Sequence, residues 1–344
     1  MTKTDPVLRV GAVGAGRMGR IHIDNMLETR FVEVVSLVTV MESEKKWMKE
    51  LVPEAKIFDN YDEFISDPNI DAVVISSPSG FHKEHVFKAM EHGKHVFCEK
   101  PLTENPETAW EVYNKSLEYP HLKICCAFPR RYCQEYVEAA KAIREGRLGT
   151  ITTLRSQCTD KYDPSEYFVN YIKTSGGIFV DSSIHDIDIC LFLLGQDKKA
   201  GQAFATGTTN VFPQFAEFGD VDDGMGVVTL DGDLVMNVYG CRNNAHGHHT
   251  MTEVRGSKGR LLVNPEPRLL NLEISSNLGT NYAAAKDHME LFSAAYKAEL
   301  VGFRDWVLFD KEHNFNLKDA AKAVTIGHAL QTSLRKNSPI KFNT

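Results

Sequence analysis

The sequence predicts an α/β protein: an N-terminal domain built on a parallel sheet, followed by a C-terminal α/β domain with a mainly antiparallel open sheet. Residues 1–127 alternate β-branched runs with helical periodicity, the rhythm of βαβ units. Beyond residue 128 strands crowd together, joined by turn signals such as Asp231-Gly232 and Ser257-Lys258-Gly259. The length, 344 residues, accommodates two domains of about 150 residues each, here 1–127 and 128–344. Hydrophobic residues at 42% and charged residues at 25% are ordinary soluble usage, which excludes disordered, collagenous and coiled-coil chains.

The elements follow in order. Residues 7–13 read as a buried strand, followed by a glycine turn and an amphipathic helix over 18–28. A second strand, 31–38, precedes a helix over 42–51. Further apolar strands at 71–76, 95–98 and 122–127 are separated by helical sequence at 82–91 and 106–118. A helix over 132–145 stops at Gly146, where glycine favours a C-terminal cap. Strands then dominate at 150–159, 227–230, 234–241, 250–255 and 260–263, interrupted by helical periodicity over 184–194. Helices over 282–309 and 317–334 close the chain, and Phe292, Tyr296, Phe303 and Trp306 recur at the spacing of core packing.

Charge and composition narrow the function classes. Lys and Arg number 39 against 46 Asp and Glu, a net charge of −7, which argues against a general nucleic-acid binder. No apolar run approaches the ~20 residues of a bilayer helix, and residues 1–6 lack a signal-peptide core, so no membrane partner and a cytoplasmic location are expected. Seven cysteines lack paired CxxC spacing and read as buried free thiols in a reducing compartment.

Gly14-Ala15-Gly16-Arg17-Met18-Gly19 fits G-x-G-x-x-G between a buried strand and a helix start. Gly14 permits the tight turn, Gly16 leaves room for backbone to approach a pyrophosphate, and Gly19 lets helix and strand pack closely. The helix N-terminus adds unpaired N–H groups and a favourable dipole, so a Rossmann dinucleotide site is expected, with a merely structural glycine turn as the alternative. An acidic residue at the end of the second strand would bind adenosine ribose hydroxyls, but the position is Thr39. Glu42 lies close enough to recover that contact, while Lys45 or Lys46 would suit a 2′-phosphate. NAD and NADP both stay open, with the balance tipped to NADP.

Glu99-Lys100-Pro101 ends the strand over 95–98, and ligands in open α/β sheets collect at the carboxyl ends of strands. The Lys100 ammonium there would hold a substrate hydroxyl and stabilise a developing alkoxide. Asp181 and His185, four apart after the pair Gly176-Gly177, share one face if a helix begins near Ser182. Imidazole suits proton abstraction from a secondary alcohol, and a carboxylate orients it. Asp181 as a helix cap and His185 as a satisfied histidine is the plainer alternative.

These stretches resemble the glucose–fructose oxidoreductase, inositol dehydrogenase and rhizopine-catabolism oxidoreductase family. The resemblance spans nearly the whole chain. It rests on the glycine turn, Ser77-Pro78-Ser79 with His82, Glu99-Lys100-Pro101, residues 127–132, the glycine pair leading to Asp181 and His185, and residues 254–259. Within the family the set looks most like inositol 2-dehydrogenases. The resemblance implies that Lys100, Asp181 and His185 are catalytic, that Ser77, Pro78, His82, Glu99 and Lys100 line the nicotinamide side, and that Arg130 lies near substrate. It implies reversible hydride transfer between a ring CHOH of a cyclitol or sugar and nicotinamide, in a cleft between the two domains.

Two departures stand out: Thr39 in place of an acid, and residues 244–249 (Asn-Ala-His-Gly-His-His) where the bacterial inositol enzymes tend to carry tyrosines. As strand residues, His246 and His248 would share a face and His249 point away, and no further ligand follows at metal spacing. No metal is expected; His246 is the candidate substrate contact. An open sheet face predicts a homodimer or homotetramer. The rival readings are a keto-sugar reductase, an aldose or dihydrodiol dehydrogenase, and a non-catalytic dinucleotide-sensing regulator. The intact Lys-Asp-His set weighs against the regulator, and histidine rather than tyrosine at 185 weighs against the aldose and dihydrodiol enzymes.

Overall fold

A computed structural model describes residues 6–195, 197–270, 272–277 and 279–342. The chain divides into two compact units, Met1–Tyr132 with Ala294–Ala321, and Cys133–Ser293 with Lys322–Thr344. Both differ from a single cut after residue 127, because the closing helices are shared out between them.

In the first unit six strands, β1 (Leu8–Val13), β2 (Val32–Val38), β3 (Lys56–Phe58), β4 (Ala72–Ile75), β5 (His95–Cys98) and β6 (Ile124–Cys126), form a sheet ordered β3-β2-β1-β4-β5-β6. Every pairing is parallel. Helices α1 (Arg17–Leu27), α2 (Glu42–Leu51), α3 (Tyr61–Ile65), α4 (His82–Glu91) and α5 (Pro106–Ser116) make the crossovers. Strands covered on both faces read as continuous apolar runs, and all four residues of β4 are buried. The strand order reverses between β1 and β4, the topological switch where such sheets bind ligands. Leu300, Phe303 and Phe315, far along the chain, join Leu8, Val10 and Phe97 in one core cluster, which is why the late segment belongs to this unit. Burial of each large side chain contributes about 1.5–3 kcal/mol.

The second unit holds α6 (Gln134–Arg144), β7 (Ile151–Lys161), α7 (Glu166–Ile172), α8 (Ile178–Asp181), α9 (Ile184–Leu194), β8 (Ala200–Thr208), β9 (Asp223–Leu230), β10 (Leu234–Asn244), β11 (His249–Gly256), β12 (Gly259–Val263), β13 (Glu273–Ser276) and β14 (Gly279–Tyr282). The helices α10 (His288–Phe309) and α11 (Leu317–Lys336) follow, with β15 (Ile340–Lys341). Seven strands form a sheet ordered β12-β11-β7-β10-β9-β8-β15, antiparallel except where β7 and β10 run parallel. Helix α9, buried almost throughout, packs on β7 and β10. Strands β8 and β9 alternate buried and exposed positions, leaving Phe204, Met225 and Val227 exposed on a common face. Of the seven cysteines, six are buried and Cys133 is half-buried. Among the described residues no helix is long and apolar enough to cross a membrane.

Candidate active site

In the first unit the glycine turn links β1 to α1. Gly14 has φ +83°, and a Cβ on Gly19 would lie 2.3 Å from the Gly14 carbonyl oxygen, so both positions need glycine. Gly16 and Arg17 are exposed, Met18 is half-buried, and the first turn of α1 contains no acid. An exposed backbone at a helix N-terminus without a nearby carboxylate on that helix fits a dinucleotide's pyrophosphate.

Thr39 follows β2, as the sequence suggested, but its hydroxyl donates to Glu44 Oε2 at 2.6 Å. The same oxygen accepts the Ala15 N–H at 2.9 Å. Glu42 points elsewhere: its side chain is 85% exposed and bonds Lys45 at 2.6 Å. Lys45 also pairs with Asp59, and Lys46 is 80% exposed beside Glu50. Neither lysine is turned to the glycine loop by these contacts.

At the carboxyl end of β5, Lys100 is half-buried and its backbone N–H donates to Glu99 Oε2 at 3.0 Å. Glu99 is buried, and its other oxygen lies 2.6 Å from His22 Nε2. Burial pushes the Glu99 carboxyl upward, but His22 and the Lys100 charge and N–H outweigh it and hold it below the usual range. His82, also buried, places its ring nitrogens 2.9 Å from the carbonyls of Pro101 and Ser77, tying together the loops after β5 and β4. Burial lowers its pKa, against the two carbonyls, which favour the doubly protonated ring. The Ser77 hydroxyl lies 3.0 Å from His85 Nδ1, Pro78 is exposed, and Arg130 is buried in the short turn over Pro129–Tyr132.

In the second unit the glycine pair leads into a helix that is broken. The short α8 ends at Asp181 and α9 begins at Ile184, so Asp181 and His185 lie on successive helices, not on one beginning at Ser182. Gly177 has φ +111°, and a Cβ there would meet the Gln331 side chain at 2.2 Å. Both Asp181 and His185 are half-buried among buried neighbours. Asp181 accepts the Tyr171 hydroxyl at 2.6 Å, and Arg242 Nη2 lies 3.6 Å from its other oxygen. Arg242, only 1% exposed, also bonds Asp220 through Nη1. Asp220 in turn accepts the Ile178 N–H at 2.8 Å, at the start of α8.

Sequence reasoning missed buried Arg242 and Asp220 and half-buried Asp160; paired charges carry no periodic signal. Asp160 Oδ1 lies 2.9 Å from His248 Nδ1, and its Oδ2 accepts the Ser182 hydroxyl at 3.3 Å. Burial pushes this carboxyl up, but the hydrogen bond and charge of His248, with Arg242 and His288, hold it down at about 2. Cys158, Asp160 and His248 offer ligand-type atoms within 4.8 Å of one another. The expected shared strand face of His246 and His248 does not exist, because β10 ends at Asn244 and the chain turns at Gly247, φ +108°. His246 is exposed, 3.2 Å from Asn244 Nδ2; His248 is buried; His249 Nε2 donates to the Asn264 carbonyl at 2.9 Å.

The chain matches the profile of an oxidoreductase family with an NAD-binding Rossmann fold, GFO/IDH/MocA, over residues 8–119, and the GFO/IDH/MocA C-terminal domain over residues 136–262. The expected tilt toward NADP finds no support in that profile or in the side chains of Lys45 and Lys46. Among curated proteins it is 30% identical over 342 residues to scyllo-inositol 2-dehydrogenase (NAD(+)) of Bacillus subtilis, covering 98% of this chain and 96% of that one. It is 28% identical over 337 residues to myo-inositol 2-dehydrogenase of Thermotoga maritima, covering 97% and 98%. Among solved structures, scyllo-inositol dehydrogenase from Lactobacillus casei with bound NAD(H) and scyllo-inositol superposes with a TM-score of 0.92 at 29% identity, covering 97% and 99%. Similar over nearly its whole length to these proteins, the chain belongs to the GFO/IDH/MocA oxidoreductase family, among its inositol 2-dehydrogenase-like members.

Proposed function

We propose that this protein is an NAD-dependent dehydrogenase of cyclitols, oxidising a ring CHOH of an inositol-like polyol. The observation that carries the reading is the whole-length similarity to an NAD(H)- and scyllo-inositol-bound enzyme, joined to a complete Lys100, Asp181 and His185 set. Gly14, Gly16, Arg17, Met18 and Gly19 would hold the pyrophosphate, and Ser77, Pro78, His82, Glu99 and Lys100 the nicotinamide side. The dinucleotide, when bound, supplies the hydride acceptor.

The chain's own residues supply position and charge. Lys100 holds the substrate oxygen and stabilises the alkoxide character that grows as the hydrogen leaves carbon. His185 accepts the hydroxyl proton, and Asp181 favours the resulting imidazolium. Tyr171 and Arg242 orient Asp181. Arg130 lies on the substrate side; of the clustered histidines, buried His248 beside Asp160 suits a fixed substrate contact better than exposed His246. The reverse direction uses the same groups with His185 as acid. We infer self-association through the open sheet face bearing Phe204, Met225 and Val227; a monomer in sedimentation at micromolar concentration would refute it.

The test is absorbance at the reduced-nicotinamide band with NAD across myo-inositol, scyllo-inositol, glucose, galactose and xylose. A response to an inositol is expected. Lys100→Ala and His185→Ala should each lower turnover by roughly 10²–10⁴-fold while NADH binding persists. Activity retained in both variants removes the catalytic assignment, and silence toward every polyol removes the substrate class.

A further inference from the structure

Rossmann enzymes usually recognise the adenosine ribose with a carboxylate at the tip of the second strand. Here that tip carries Thr39, whose side chain is too short and uncharged to do so. The structure nevertheless puts a carboxylate in the same place. Glu44 reaches back from the first turn of α2 until Oε2 lies 2.6 Å from the Thr39 hydroxyl and 2.9 Å from the Ala15 nitrogen. Its Oε1 is the nearest atom a Cβ on Gly16 would meet, at 3.9 Å. The carboxylate therefore fills the gap between the end of β2 and the middle of the glycine turn, where an acidic side chain at position 39 would have put its own oxygens.

Helix geometry explains why Glu44 rather than Glu42 does this. Residues two apart on an α-helix point about 200° from each other, so only one of the two can face the glycine turn. Glu42 takes the opposite side, exposed and bonded to Lys45. Lys45 is further engaged by Asp59, which leaves it occupied by two carboxylates. Arg20 does approach the turn, but its Nε donates to the Ala15 carbonyl at 3.1 Å and its guanidinium lies over Trp47.

We propose that Glu44 is the residue that selects NAD over NADP, taking the ribose-recognition role that Thr39 cannot fill. Its oxygens accept the 2′- and 3′-hydroxyls of the adenosine ribose, and its charge repels a 2′-phosphate. The inference rests on the dinucleotide site described above. Glu44 is half-buried, so a ribose can reach it without unfolding α2.

The experiment is calorimetric titration of the purified full-length protein with NADH and, separately, with NADPH, in the absence of polyol. Wild type should bind NADH at least roughly tenfold tighter than NADPH. Glu44→Ala should weaken NADH by roughly tenfold or more, and Glu44→Gln, which keeps shape and an acceptor, should gain affinity for NADPH. In both variants the preference should narrow by at least about tenfold. Equal weakening of both dinucleotides would mean a merely structural role and overturn the proposal. So would a preference that collapses in Glu42→Gln but not in Glu44→Gln, or a wild type that prefers NADPH; either leaves the dinucleotide site standing. Wild type binding neither dinucleotide brings down the site itself, and Glu44 with it.

Discussion

Lys100 and Asp181 are held in different ways. Lys100 follows a strand of a parallel sheet, and its support is a single pair: Glu99 beside it in sequence, and His22 of α1 bonded to Glu99. Asp181 ends a helix of only four residues entered through two glycines, a segment with little stiffness of its own. Its support is a network: Tyr171 from α7, Arg242 from β10, and behind Arg242 the carboxylate of Asp220, which also secures the start of α8. Where the backbone of a sheet fixes a functional group, one neighbouring pair suffices. Where it does not, several side chains, from a helix, a strand and the segment before β9, take over the work.

The sharpest way to break this contrast is to remove Arg242. Asp220 is nearly inaccessible to solvent, so Arg242→Leu leaves a buried carboxylate without its cation and frees Asp181 on one side. Loss of one partner of a buried ion pair costs about 3–5 kcal/mol. Urea denaturation should show a loss of that size, and turnover should fall with NADH affinity unchanged. A loss under about 1 kcal/mol would mean that the network is not what holds α8.

The same contrast governs what was legible in the sequence. The glycine turn, the strands β1, β2, β4 and β5, and Lys100 are local in sequence, because phosphates are bound by backbone and need consecutive residues. The helices over Glu42–Leu51, His82–Glu91 and Ile184–Leu194 begin and end where periodicity put them. Strands β3 and β15, of three and two residues, are too short to show a period. Arg242, Asp220 and Asp160 were invisible for another reason: a paired charge looks like a solvated one until the fold brings its partner. Glu44 falls between these cases. The start of α2 is legible in the sequence, yet Glu42 is the acid it offers for the ribose contact; that Glu44 turns back instead shows only in its bonds to Thr39 and Ala15. The histidines at 246, 248 and 249 were read as one extended strand, and Gly247 turns the chain among them.

Replacing His22 tests the single-pair side of the comparison, with a smaller effect. His22→Leu leaves the Glu99 oxygen that faced it buried and without that partner, a cost of about 1–3 kcal/mol. His22→Gln retains a non-titrating donor and should lose less. Comparing the two variants isolates Glu99 from the titration of His22 itself. With a donor present the Glu99 pKa stays depressed, so its stabilising contribution is present above the unfolded value and is lost as pH falls through the folded one. With leucine the His22 contributions are gone and only the Lys100 charge and N–H oppose burial, so the folded pKa lies higher than with glutamine and Glu99 takes up a proton more readily in the fold. The Gln variant should therefore be the more stable at pH 7, and the gap should close as pH falls through the carboxylate range. Denaturation at pH 7 and at pH 4 checks the sign. A gap that stays constant, or widens in acid, would mean that His22 serves as packing against Phe97 and Tyr296 rather than as the partner that keeps Glu99 charged behind Lys100.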